Sequence, residues 1–234
     1  MMLYQIFSIT APVFFLALAG WIWAKARAPF DLDFVTRMSI TFSVPCLIFA
    51  TLVKAEIDAD AFRDIALASL LAYGGATLIL LLVLMVFRLS LPVWLAPMVF
   101  GNTGNVGLPV ALFAYGEEGL ALAVVIFAVM AILSFTIGVF VVAGAGRPTE
   151  AFRQPLVYAS ILGGVFAVMD WPVPEVILDT LSLAGQIAIP LMLLTLGVAI
   201  ARLEVKGIGL ALALTVVKLA ATGGAAFATA WYFG

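Results

Sequence analysis

The chain has 234 residues, of which 65% are hydrophobic and 10% charged, with a formal net charge of −2. Soluble domains carry about 25% charged residues, so this composition cannot cover a surface facing water, and the surrounding solvent has to be lipid. With no His, a single cysteine (Cys46) and no basic run, the chain excludes a disulfide framework, a Cys/His zinc cluster and a nucleic-acid surface, and it lacks the side chain most used as a general base near neutral pH.

A transmembrane helix takes about 20 mainly apolar residues. In chain order the candidates are eight: 3–23, 35–53, 65–87, 93–115, 119–143, 154–170, 176–201 and 207–233. They are too long and too uniformly apolar for barrel strands, so the expected fold class is an all-α membrane protein of about eight transmembrane helices. The first stretch has no positive residue before its apolar run and is followed by Lys25 and Arg27, which describes a retained span and not a cleavable signal. The sixth is short and ends at Asp170-Trp171-Pro172. Trp21, Trp23, Trp94, Trp171 and Trp231 fall near span ends, as interfacial anchors do. Gly74-Gly75, Gly163-Gly164 and Gly223-Gly224 are expected to mark close helix contacts. Cys46 is expected to be a small core residue.

Lys and Arg accumulate on the cytoplasmic side of membrane proteins. With the N-terminus outside, the inner connections hold eight of them: Lys25, Arg27, Arg37, Arg88, Arg147, Arg153, Arg202 and Lys206. The outer connections hold only two, Lys54 and Arg63, and collect acidic residues such as Glu56, Glu117, Glu118 and Asp179. The expected location is the cell membrane, crossed several times with the N-terminus outside.

Two spans resemble one another. Ser43 to Val53 reads S-V-P-C-L-I-F-A-T-L-V, and Ala188 to Val198 reads A-I-P-L-M-L-L-T-L-G-V; Pro45 matches Pro190 at a shift of 145. The same shift lays the first span on the sixth and the third on the eighth. The matched helices are an odd number of spans apart, so the copies face opposite ways across the membrane, as in the inverted repeats of secondary transporters. The expected organisation is a first repeat of five helices (1–143), a cytoplasmic linker (144–153) and a partial second repeat of three (154–234). On this count the second repeat is incomplete. The chain is a piece, a naturally shortened member, or one half of a homodimer that completes the site.

The fourth span is interrupted. At its centre Gly101 to Pro109 reads G-N-T-G-N-V-G-L-P. Pro109 removes a donor and clashes with the preceding turn, and Gly101, Gly104 and Gly107 let the backbone leave helical angles. A helix broken near the midplane must be buried or line a watery cavity, and the half-helix that follows points a partly positive, amide-rich end at it. That end suits a carboxylate. Asn102, Thr103 and Asn105 are the candidate ligand contacts, with the glycines and Pro109 shaping the backbone; the other reading is a packing kink whose asparagines bond neighbouring helices. Pro45 and Pro190 either open a helix beside the break or kink it, and Ser43, Gln186 and Thr195 are polar groups near them. Lys218 lies near the middle of the eighth span. An intramembrane lysine costs about 2.5–3.5 kcal/mol on insertion scales. It is therefore expected to face a cavity or partner, where it balances an anionic substrate or changes protonation, unless it snorkels.

The G-N-T-G-N-V-G-L-P segment, with S-V-P-C-L-I-F-A-T-L before it and I-P-L-M-L-L-T-L-G-V after it, resembles the auxin efflux carrier family. That family includes bacterial members and, more distantly, the plant PIN-type carriers, and is related to the bile acid/sodium symporter-like proteins. The resemblance implies ten helices in two inverted five-helix repeats, two broken helices crossing at the substrate site, and organic anions such as dicarboxylates or indole acids as substrates. It implies the site role for Asn102, Asn105 and Pro109. No enzymatic step, metal or cofactor is expected, because the sequence offers no nucleophile–base pair or metal cluster, and a bacterial inner membrane is the expected location. The second crossing helix has no counterpart in this sequence. The expected function is a secondary transporter exporting small organic anions by alternating access. The alternative is a truncated or non-transporting membrane module that needs a partner.

Overall fold

In a computed structural model, which describes residues 2–55, 58–138, 154–204 and 208–233, the secondary structure among those residues is helical, joined by short turns. The expected linker 144–153, the end of the fifth span (139–143) and the charged residues Glu56, Arg147, Arg153 and Lys206 lie outside them. The helices are α1 (Met2–Lys25), α2 (Leu32–Met38), α3 (Val44–Lys54), α4 (Ala59–Val86), α5 (Leu91–Val99), α6 (Leu108–Leu133), α7 (Pro155–Val168), α8 (Glu175–Gln186), α9 (Ala188–Arg202) and α10 (Ile208–Phe233). Three wider π turns adjoin them, at Ser39–Ser43, Thr103–Gly107 and Ser134–Gly138.

Among the described residues six helical stretches are long and apolar enough to cross a membrane, and the protein is an all-α membrane protein. The stretch Leu91–Gly138, at 48 residues, would run ~70 Å as one rod, more than twice a ~30 Å hydrocarbon core. It is not one rod. The backbone leaves the helix at Phe100–Asn102, and again at Gly116, where φ is +69° and ψ −156°. A φ in the left-handed region favours glycine, so the residue type answers the turn. Gly116 stands where the sequence separates its fourth and fifth spans. α7, with 14 residues, is shorter than the six spanning stretches.

Lipid offers no partners for polar groups, so hydroxyls bond within their own helix. Thr10, Thr41, Ser69, Ser160, Thr195 and Thr215 each donate to the carbonyl four residues back, at 2.7–2.9 Å. The prolines explain the interruptions. A proline at position i has no N–H for the carbonyl of i−4 and its ring crowds that oxygen. Pro45 and Pro109 each stand two residues past a π turn, in which Val44 N–H reaches back to Ser39 O and Leu108 N–H to Thr103 O. Ahead of Pro190 the helix stops at Gln186 and restarts at Ala188.

The chain forms two compact units, each drawn from separate parts of the sequence. The first comprises Met1–Asp58, Asn102–Phe127 and Pro155–Glu204. In it α1 packs along α9, and α3 packs along α7 and α8. These crossings are close because glycines sit in them: a methyl group on Gly20 would overlap the Leu194 carbonyl, and one on Gly197 the Ala17 carbonyl. On the α3–α7 face, Gly163 meets Phe49 and Leu52. Ile48, Leu52, Leu193 and Val198 are fully buried between these helices. A shift of 145 carries α1 onto α7 and α3 onto α9, so it exchanges the α1–α9 contact with the α7–α3 contact.

The second unit comprises Ala59–Gly101, Ala128–Gln154 and Val205–Gly234. α4 packs along α10, a pair the same shift carries onto itself, and α5 packs on both. Its core is Leu80, Leu84, Leu95, Met98, Val99, Leu214 and Ala221. Two of the three glycine pairs depart from expectation here. Among the described residues nothing lies within 4 Å of a methyl placed on Gly74, Gly223 or Gly224, and Gly75 would meet Ala225 only at an ordinary 3.8 Å. A helical Gly-Gly pair reports a close contact only if its face meets another helix, and among the described residues Gly74, Gly223 and Gly224 meet none.

Gly197→Val is expected to cost at least about 2 kcal/mol, because backbone cannot move aside as a side chain can. Gly223→Val is expected to leave stability within about 0.5 kcal/mol. Thermal unfolding of the two variants in detergent separates them.

Candidate functional site

The interrupted fourth span is built as follows. α5 ends with Phe100 N–H donating to Ala96 O at 2.9 Å. Phe100 is extended (φ −86°, ψ 117°) and Asn102 turns the chain (φ −80°, ψ 56°). Helical bonding then restarts, with Val106 N–H and Gly107 N–H both reaching Asn102 O, at 3.1 and 3.3 Å. The break thus carries two oppositely polarised helix ends: the carbonyl end of α5, and the amide end that opens at Thr103.

On the amide side, in the first unit, Asn102 is exposed, Thr103 and Asn105 are half-buried, and Gly104 and Pro109 are buried. The segment packs against α9. At Gly104 a methyl would stand 3.0 Å from Met192 Cε and 3.1 Å from the Phe127 ring, and at Gly107 it would stand 3.2 Å from Thr103 Cγ2. The glycines therefore let the turn lie close to its neighbours as well as leave helical angles. Gly101 is the last residue before the chain passes from the second unit to the first.

On the carbonyl side, in the second unit, Lys218 of α10 donates to Pro97 O at 2.7 Å and to Phe100 O at 3.3 Å. In an unbroken helix Pro97 O would accept from Gly101 and Phe100 O from Gly104, so the ammonium satisfies carbonyls that the break leaves over. A cation at a helix's carbonyl end is also favoured by the helix dipole. These contacts account for two of the three ammonium donors and keep the lysine at mid-span instead of at an interface.

The remaining candidates fall elsewhere. Gln186 and Pro190 line a cleft of about 690 Å³ in the first unit, with Leu47, Thr51 and Lys54 of α3 and Leu112 of α6. Glu117, Glu118 and Ser182 add to its wall. Asn102, Thr103, Asn105 and Ser43 are not part of that lining. Ser43 is fully buried, its hydroxyl 3.5 Å from Ser39 O, and Pro45 is half-buried beside it. Lys54 pairs with Asp179 at 3.6 Å. Sequence reasoning assigned Lys54, Glu117 and Glu118 only to loops. Each stands at a helix end or kink, and only the packing of α3, α6 and α8 turns them toward one space.

A multi-pass helical protein with a proline- and glycine-broken span and a lysine on the broken end is a membrane transport protein by build, and comparison with known proteins agrees. The chain matches the family of membrane transport proteins over residues 5–151 and 147–222. It belongs to that family, the auxin efflux carriers. It is also similar to the uncharacterized transporter MJ1031 of Methanocaldococcus jannaschii, with 29% identity over 119 residues. That match covers 45% of this chain and 37% of the relative.

Lys218→Met removes an intramembrane charge and frees two carbonyls, and these effects on global stability oppose one another. The local effect has one sign. A hydrogen bond to a charged group contributes about 1.5–3 kcal/mol, so hydrogen exchange at the end of α5 is expected to speed up by about tenfold or more. Lys218→Arg should retain most of the protection. Lys54→Gln is expected to cost under about 1 kcal/mol in thermal unfolding, because Lys54 and Asp179 are 46% and 68% exposed.

Proposed function

We propose that this chain is a secondary carrier that exports small organic anions by alternating access, with the substrate carboxylate held at the amide end of the broken fourth span. One observation carries the reading: helical bonding stops at Phe100 and restarts from Asn102, in the middle of an apolar stretch. A helix's first turn presents amides without intrahelical partners and a partly positive potential, which stabilises an anion without a formal charge. Asn102 and Asn105 supply amide donors beside it and Thr103 a hydroxyl. Lys218 acts in this scheme by holding the preceding half-helix in place, so that the break keeps its geometry.

Alternating access needs two related halves. Three features support an inverted repeat. The interruptions before Pro45 and Pro190 coincide under the 145 shift, the helix bounds overlay, and the α1–α9 and α7–α3 contacts exchange. The distribution of Lys and Arg supports an N-terminus outside the cell membrane, and a bacterial inner membrane is the proposed location. A second copy of the chain is the proposed partner.

Flux of labelled dicarboxylates and indole acids into and out of proteoliposomes tests this. The chain should move at least one such anion above empty vesicles. Asn105→Ala should reduce flux to the empty-vesicle level while remaining monodisperse and folded. Equal flux in the variant and the parent would overturn the site, and no anion flux in the parent would overturn the function.

A further inference from the structure

Lys218 sits in α10, a helix long and apolar enough to cross the membrane. Among the described residues no ion pair joins it to a carboxylate. Its ammonium instead meets two backbone oxygens, Pro97 O at 2.7 Å and Phe100 O at 3.3 Å. Both belong to the end of α5. The helices that meet there pack on a buried apolar cluster that includes Leu84, Met98, Leu214 and Ala221.

A cation held by uncharged oxygens is ligated in the way a metal ion is. In carriers with broken helices, unwound carbonyls and the carbonyl ends of half-helices coordinate Na+. Those oxygens have lost their amide partners and carry the negative end of the helix dipole. The end of α5 is such a place, because Phe100 is extended (φ −86°, ψ 117°) and the helical ladder stops at it. We propose that the carbonyls of Pro97 and Phe100 form a cation site that the protein fills with its own Lys218 ammonium, in place of a diffusible metal ion.

The tether decides the occupant. A cation fixed to α10 stays at high effective concentration whatever the ionic composition outside. A second cation seeking the same two oxygens would meet a like charge at contact distance. The carbonyl end of the break is therefore satisfied without sodium, and an ion gradient has no vacancy to act on there.

The test is hydrogen exchange at the end of α5, measured on the full chain in detergent. Lys218→Ala removes three methylenes and the ammonium, which together have the length of n-propylammonium. Exchange at residues 98–100 is expected to quicken by about tenfold or more in this variant. n-Propylammonium, present from solubilisation onward so that the site forms around it, should slow that exchange again several-fold. n-Propanol, which lacks the charge, and choline, which has no N–H to donate, should not. The parent should exchange equally in sodium and in choline. If the variant is recovered only with propylammonium, that is the same rescue read as folding; if it is not recovered at all, the response of the parent to sodium decides. Unchanged exchange in Lys218→Ala, rescue by no solute, or rescue by propanol equal to that by propylammonium would overturn the cation site. Slower exchange of the parent in sodium would overturn its being filled. On the carrier reading proposed above, anion flux by the parent should likewise be independent of sodium, but the exchange measurement does not rest on that reading.

Discussion

Every backbone amide and carbonyl that enters the bilayer must find a partner inside the protein, and the structure follows from how that rule is kept and where it is suspended. Over most of the chain it is kept by uninterrupted helices whose hydroxyl side chains also turn back onto their own carbonyls. It is suspended at Phe100–Asn102, where the backbone leaves the helix in the middle of an apolar stretch. The carbonyls released there are taken by Lys218, so the cost of a charge at mid-span is offset by the groups it satisfies. The amide end, with Asn102, Thr103 and Asn105, is where the proposed anion would be held.

Proline is the common cause of the interruptions. Pro45, Pro109 and Pro190 are each preceded by a widened turn or a stop, as the missing N–H and the crowded carbonyl require. Glycine works differently. At Gly20, Gly163 and Gly197 its value is the absent side chain, which lets helices in the first unit approach to backbone distance. At Gly74 the same absence leaves open space among the described residues. Identical residues thus close one interface and open another according to what faces them.

Much of the architecture was legible in the sequence. Runs of about 20 apolar residues are long-range features of composition, and lipid admits little but helix for them. The break was legible because Gly, Asn and Pro cannot all be accommodated in an unbroken helix. The helix bounds agree with the expected spans to within a few residues at most ends. The main exception is α4, which starts earlier, at Ala59, while the turn at Gly116 falls where the fourth and fifth expected spans are separated.

The sequence by itself determined that this is a helical membrane protein, where its fourth span breaks and to which transport family it belongs, because each depends on local composition and spacing. Only the tertiary structure decided which groups those features meet. It tied Lys218 to Pro97 and Phe100, set Gln186 beside Lys54 in a cleft, and left Gly223 and Gly224 without a close neighbour among the described residues. The reason is physical: a helix's sequence sets its own backbone bonding, but the rotation and depth at which it packs against another helix come from contacts far apart in the chain.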